Sequence, residues 1–339
     1  MKRTWLFYAA GARAAGKIVS RAGFFAVVAA FLTMQAAVAA DYPTRPIKLM
    51  LGFAPGGQAD ILGRTLGQGF LQHLGQPLVI DYRPGAGGRI AAEAASRAVP
   101  DGYTLLMVDQ GMLAANVTLY KKLGYNPEKD FIPISLIGSQ AQVLVVHPSL
   151  PVHSMAELIA LAKAKPGELN FASGGLGGAA HLSGELFKAE AKVNMVHVPF
   201  KGTGPALLDV VAGRVPVTFS AASPLIGYIR SGAVRPLAVS TAKRTAILPN
   251  IPTIAELGIP GYALGTWNGL AAPAGTPKEI IATLHRATAA SLNDPAVRKR
   301  LTDMGVDVAG NSPEEFQAFI KAEIIKWSAI VKTSGTHLD

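Results

Sequence analysis

The 339-residue chain contains no cysteine. Disulfides are therefore excluded, as is lipid attachment to a cysteine at a processed N-terminus. No acidic residue precedes Asp41, while Lys2, Arg3, Arg13, Lys17 and Arg21 are all basic. The apolar stretch 22–32 is too short to cross a bilayer, which takes about 20 apolar residues. The small-residue site Ala37-Val38-Ala39 follows it. Those features predict a cleaved secretory signal over 1–39, with cutting near Ala39 or Ala40 and a mature protein in the periplasm. The leader has no twin-arginine pair.

Several other patterns are missing. No run of Lys and Arg has the length of a nucleic-acid-binding arm, so no nucleic-acid partner is expected. The chain has 32 basic and 22 acidic residues, net +10; setting aside the five leader residues leaves 27 against 22, net +5. Such a balance helps to gather small anions without identifying one. Gly85-x-Gly87 lacks the third glycine of a dinucleotide fingerprint, because Ile90 stands there. No phosphate-loop motif, no H-E-x-x-H and no nucleophile elbow occurs. The histidines at 73, 147, 153, 181, 197, 285 and 337 are dispersed. No catalytic residue, metal ligand or cofactor is therefore assigned. Active sites also assemble from distant residues, so an exported enzyme acting on a small carboxylate stays a rival reading.

What is present is concentrated in 47–60, IKLMLGFAPGGQAD. An apolar run, 47–53, predicts a buried parallel strand. Ala54-Pro55-Gly56-Gly57 stops it. Ile61, Leu62, Leu66, Phe70, Leu71 and Leu74 then recur at helical spacing. Strand, glycine turn and helix make an anion site, because a helix start offers unpaired N–H groups and a positive dipole end. A second such unit follows another short apolar strand: Phe171 to Gly178, FASGGLGG, then a helix from about Ala179. Two helix starts facing one another would hold a small anion from both sides.

Elsewhere strands alternate with helices, as in parallel α/β layers. Strands are expected at 77–81, 104–108, 142–147, 194–198, 215–220 and 235–240. Helices are expected at 154–164, 179–190, 204–211, 277–292 and 313–332. Ser154 with Glu157, Thr253 with Glu256 and Ser312 with Glu315 match the capping box.

Seven segments in order carry a family resemblance: 45–60, 82–93, 100–106, 119–135, 197–207, 248–262 and 267–277. Together they resemble the extracytoplasmic solute receptors of tripartite tricarboxylate transporters, the Bug or TctC-like receptors. The resemblance implies a type II periplasmic-binding-protein fold, α/β, with two lobes of mostly parallel sheet flanked by helices. Lobe one would be 40–138 plus 268–339, and lobe two 139–267. It implies capture of a small carboxylate (a di- or tricarboxylate, an acidic amino acid or an aromatic acid) and delivery to membrane permease subunits. A receptor serving a signalling partner is the alternative.

The resemblance also carries over ligand positions. They are Phe53, Ala54, Pro55, Gly56, Gly57 and Asp60 in the first loop, Gly111 in a loop after the third strand that falls at about Asp109-Gln110-Gly111-Met112, and Ser173, Gly174, Gly175, Gly177, Gly178 and His181 in the second glycine unit. Phe200, Lys201, Ala221 and Ser223 complete the set. Read as residues, three of these keep two meanings. Asp60 either stabilises its helix start or meets the ligand. His181 is more simply a hydrogen-bonded structural residue. Lys201 is either a solvated surface charge or a partner for a carboxylate. Ala54 stands where the family often has a second proline.

Overall fold

The first strand, β1 (Ile47–Leu51), lies between β2 (Leu78–Tyr82) and β3 (Thr104–Asp109), parallel to both. Ile47, Leu49 and Leu51 line one face and are fully buried; on the other face Met50 is buried and Lys48 is exposed. The computed structural model describes residues 42–338, so the leader 1–39 lies outside the described residues. Arg45 opens one compact unit running to the C-terminus.

After β1 comes α1 (Gln58–Leu74), which buries Leu62, Leu66 and Phe70 and stops at Gly75, a left-handed cap with φ +68°. Short α2 (Arg89–Ser96) precedes β3, and α3 (Asn116–Leu119) follows it after a wide helical turn, Gly111–Ala115. Then comes a 16-residue strand, β4 (Phe131–Val146). The second half of the chain alternates α4 (Met155–Ala164), β5 (Asn170–Ser173), α5 (Ala179–Ala191), β6 (Val196–Pro199), α6 (Thr203–Val211), β7 (Val217–Ala221), α7 (Ala222–Arg230) and β8 (Arg235–Val239). The chain returns along β9 (Gly265–Pro273) and ends with α8 (Lys278–Asn293), α9 (Pro295–Asp303), β10 (Asp307–Val308) and α10 (Pro313–Ser334).

The strand order β2-β1-β3-β9-β4-β7-β5-β6 makes a mixed sheet. Its two ends are parallel, β1 with β2 and β3 on one side, β5 with β6 and β7 on the other. The middle is antiparallel. The first part of β4 pairs with β9, and its last residues pair with β7 and β8. The two long strands thus tie the parallel ends together.

Two local expectations need correction. The expected strand covers 142–147 only, and Pro133 and Gly138 lie upstream of it. In the fold β4 runs through both. Its register against β9 shifts between Pro133 and Ser135 and again between Leu136 and Gly138, so bulges absorb the two residues. Thr253 and Glu256 do form the reciprocal bonds of a capping box, Glu256 N–H to Thr253 Oγ1 at 3.0 Å and Thr253 N–H to a Glu256 carboxylate oxygen at 2.8 Å. They close a tight turn there instead of opening a helix. The Ser312–Glu315 box caps α10 as its sequence implies. Among the described residues no helix is long and apolar enough to cross a membrane.

Candidate functional site

The carboxyl ends of the parallel strands meet at a cavity of about 70 Å³. Its wall is built largely from helix starts. Gly57, Gln58 and Ala59 come from the start of α1, and Gly178, Ala179 and Ala180 from the start of α5. Thr203 opens α6, and Ala221 precedes α7. None of these four starts has a side-chain cap. Away from the cavity, α4, α9 and α10 are capped by Ser154, Asp294 and Ser312. A missing cap is not itself a site, for α8 lacks one too. What distinguishes the cavity is convergence: several helix starts, each with first-turn N–H groups that have no partner within the helix and with a positive dipole end, share one small volume.

The first loop is held from behind. Gly56, at φ +85°, donates its N–H to Asp60 Oδ2 at 2.9 Å. Asp60 Oδ1 accepts from Arg64 Nε at 2.8 Å and from the Tyr82 hydroxyl at 2.5 Å. Asp60 touches the cavity, but both its oxygens are engaged in shaping the loop. Across the cavity mouth, Ala54 donates its N–H to the Lys201 carbonyl at 2.9 Å. Proline has no N–H, so this bond needs a residue such as Ala54. The approach is close. A Cβ on Gly202 would lie 2.7 Å from Ala54 N, and one on Gly204 would lie 2.2 Å from the Pro55 carbonyl oxygen.

The second loop is held differently. Ser173 Oγ accepts the Gly175 N–H at 3.1 Å and lies 2.6 Å from His197 Nε2. Gly177 donates its N–H to His181 Nδ1 at 3.1 Å, which leaves the proton of the neutral ring on Nε2. The His181 and His197 rings stack at 4.1 Å, and His197 stacks on Phe171 at 4.9 Å. Burial pushes His181 down to about 4, helped by nearby Lys188. Burial, with His181 and Lys188, pushes His197 down to about 3. Both rings are thus neutral at ordinary pH.

At the end of β3, Asp109 is 6% exposed and its Oδ1 accepts the Met112 N–H at 2.9 Å. Burial lifts its pKa to about 6, against the opposing bonds from the Met112 and Gly111 N–H groups. Gln110 accepts from Thr266 Oγ1 at 3.0 Å and from Trp267 N–H at 3.1 Å, fixing this corner to β9. Gln142 is 1% exposed and neither of its amide atoms has a partner. Gln58 Nε2 is also unpartnered. Buried polar groups are normally satisfied, so unsatisfied ones on a cavity wall mark a place for a ligand or water.

Of the positions carried over from the resemblance, Phe53, Ala54, Gly57, Asp60, Gly174, Gly178 and Ala221 line the cavity. Others stand behind it. Pro55 and Gly56 are exposed on the loop's outer side. Ser173, Gly175, Gly177 and His181 form the bonds that shape the second loop. Phe200 bonds through its N–H to the Ser173 carbonyl at 2.9 Å, and Lys201 contributes its carbonyl while its side chain is exposed. Gly111 packs toward Gly177, where a Cβ would lie 3.4 Å from the carbonyl oxygen. Ser223 donates its N–H to Gln140 Oε1 at 2.8 Å.

The positions not anticipated fall into two groups. Gln58, Ala59, Ala179 and Ala180 follow glycines that were singled out, and Thr203 stands just after Phe200 and Lys201, so helix geometry points to them. Gln142, Ser220, Thr266 and Asn268 sit on or beside strands, whereas Asp109 and Gln110, which also line the cavity, belong to the segment 109–112 that the resemblance points to. A signal existed for Gln142. Gln140 and Gln142 are large polar residues at i and i+2, on one face of a strand that continues as the apolar run 143–146. Among the described residues no group of three His, Asp or Glu is placed to hold a metal.

Comparison with known proteins agrees with this geometry. Residues 62–336 match the family described as Tripartite tricarboxylate transporter family receptor, TctC. Protein BugT of Bordetella pertussis is 36% identical over 318 residues, covering 92% of this chain and 98% of BugT. An R. palustris protein solved with adipate superposes with a TM-score of 0.85 at 40% identity, over 87% of this chain and 99% of that one. MatC from Rhodopseudomonas palustris, with bound malate, gives 0.83 at 34% identity, over 86% and 100%.

Proposed function

The chain belongs to the tripartite tricarboxylate transporter receptor family, and we propose that it works as a periplasmic receptor that holds one small carboxylate in the cavity at the helix starts. The observation that carries this reading is the wall itself. The uncapped starts of α1 and α5 meet there with no Lys, Arg or His side chain among the lining residues. A carboxylate would be held by backbone amides and dipoles. The relatives solved with adipate and malate support the same class of ligand.

In this reading the parallel ends of the sheet are two lobes, 40–138 with 268–339 and 139–267. The long strands β4 and β9 are their joints, and the Ala54–Lys201 bond latches the closed form. A leader cut near Ala39 or Ala40 delivers the protein to the periplasm. The loaded receptor then passes its ligand, unchanged, to permease subunits in the membrane.

A thermal-shift screen over mono-, di- and tricarboxylates and amino acids tests the reading, because a ligand selective for the folded state raises its melting temperature. A shift of several degrees with a carboxylate, and intact ligand after prolonged incubation, is the expected result. Conversion of the ligand, lost on changing the cavity wall, would favour the enzyme reading.

A further inference from the structure

One charge on the cavity wall has no counterpart. Asp60, one of the two carboxyls there, is engaged by Gly56, Arg64 and Tyr82. Asp109, the other, accepts from backbone N–H groups, and among the described residues no Lys, Arg or His lines the cavity. Buried Gln142, with both amide atoms unpartnered, lines the same cavity. The wall of this one cavity therefore offers two kinds of site: positive helix starts and a negative carboxyl. A second carboxylate on the ligand would meet like charge at Asp109.

We infer that the ligand is a short zwitterion, with its carboxylate on the helix starts and an ammonium group against Asp109, and that Asp109 is the residue that selects for the amino group. This rests on the receptor reading and narrows its ligand class. Holding a charge at this buried carboxyl without a partner is costly, and an ammonium group would relieve that cost. The Gln142 amide can donate to the ligand's carboxylate and accept from its ammonium. The cavity is small, about 70 Å³, which favours a short chain.

Matched probes differing only in the amino group test this: propionate against L-alanine, succinate against L-aspartate, and glutarate against L-glutamate. Each is titrated calorimetrically into the wild type and into Asp109→Asn, which keeps an oxygen for the Met112 N–H. In the wild type the aminated member of at least one pair is expected to bind about tenfold tighter or more. In Asp109→Asn that preference should shrink to about threefold or less, with the unaminated member gaining affinity. Equal or tighter binding of the unaminated member by the wild type overturns the inference and leaves the receptor reading standing. So does a preference that survives Asp109→Asn. If no member of any pair binds the wild type, the short-zwitterion inference fails, while the wider carboxylate reading is decided by the thermal-shift panel. Should Asp109→Asn not fold, Asp109→Ser replaces it, and the wild-type preference remains decisive.

Discussion

The two glycine loops build the same geometry with opposite chemistry. The loop before α1 is held by an ionised network, with Asp60 gathering Gly56, Arg64 and Tyr82. The loop before α5 is held by neutral rings, with Ser173, His197 and His181 stacked and hydrogen-bonded behind it. In both, the side chains that look chemically active in the sequence are occupied with the loop. The groups left to face the cavity are mostly backbone amides. The comparison teaches that the anchors differ while the ligand-facing surface is shared.

Acid should separate the two loops most sharply. An unfolded histidine takes up its proton near pH 6.5, whereas His181 does so at about 4 and His197 at about 3. Below pH 6.5 the unfolded chain binds more protons, so stability falls as pH drops from 6.5 toward 4 and is unaffected by these groups above it. At about 1.4 kcal/mol per unit of depression, the pair costs on the order of several kcal/mol at the acid end. Denaturant unfolding at a series of pH values measures the slope. His197→Phe, which keeps a ring against Phe171, should flatten it; an unchanged slope would show that the stacked rings are not the acid-sensitive element.

The next effect breaks the other anchor. Asp60→Ala leaves the Gly56 N–H and the Tyr82 hydroxyl without their partner, and should lower stability by about 3 kcal/mol. Ser173→Ala, which removes a smaller neutral anchor, should cost about 1 kcal/mol. Equilibrium unfolding of the two variants gives the order. Equal losses would mean that the charged and neutral anchors do equivalent work.

Proline substitutions test whether the shared surface is used symmetrically. Gln58→Pro and Ala179→Pro each place proline at the first helical position, where it is tolerated. The preceding residues, Gly57 and Gly178, have ψ 178° and 163°, which suit a following proline. Each change deletes one N–H at the cavity, and each should weaken carboxylate binding by about 2 kcal/mol with the fold intact by circular dichroism. A loss at only one loop would make the site one-sided. Lys201→Ala gives the smallest effect, below about 1 kcal/mol, since its exposed side chain acts outside the cavity wall. Calorimetric titration ranks all three.

How much of this was legible varies with the physics behind each element. Local periodicity and glycine placement gave β1, α1, α5 and the first loop nearly to the residue, because their signals lie within a few positions. The length of β4 was not legible, since bulges at Pro133 and near Gly138 depend on pairing with β9, more than a hundred residues away. The role of Asp60 was left open between loop and ligand, and only the position of Arg64 and Tyr82 shows its oxygens engaged. Asp109 stood at the end of an apolar strand, where ligands of α/β sheets sit. Its lack of a cation is a property of the assembled wall, which no local pattern displays.

The central claim is that backbone amides at the starts of α1 and α5 hold the carboxylate. Amide chemical-shift mapping on ¹⁵N-labelled protein, titrated with whichever carboxylate of the thermal-shift panel binds tightest, tests it directly. The expected result is that the largest shifts fall on Gln58, Ala59, Ala179 and Ala180, saturating together at the calorimetric affinity. Saturating shifts confined to residues away from both helix starts would contradict the account.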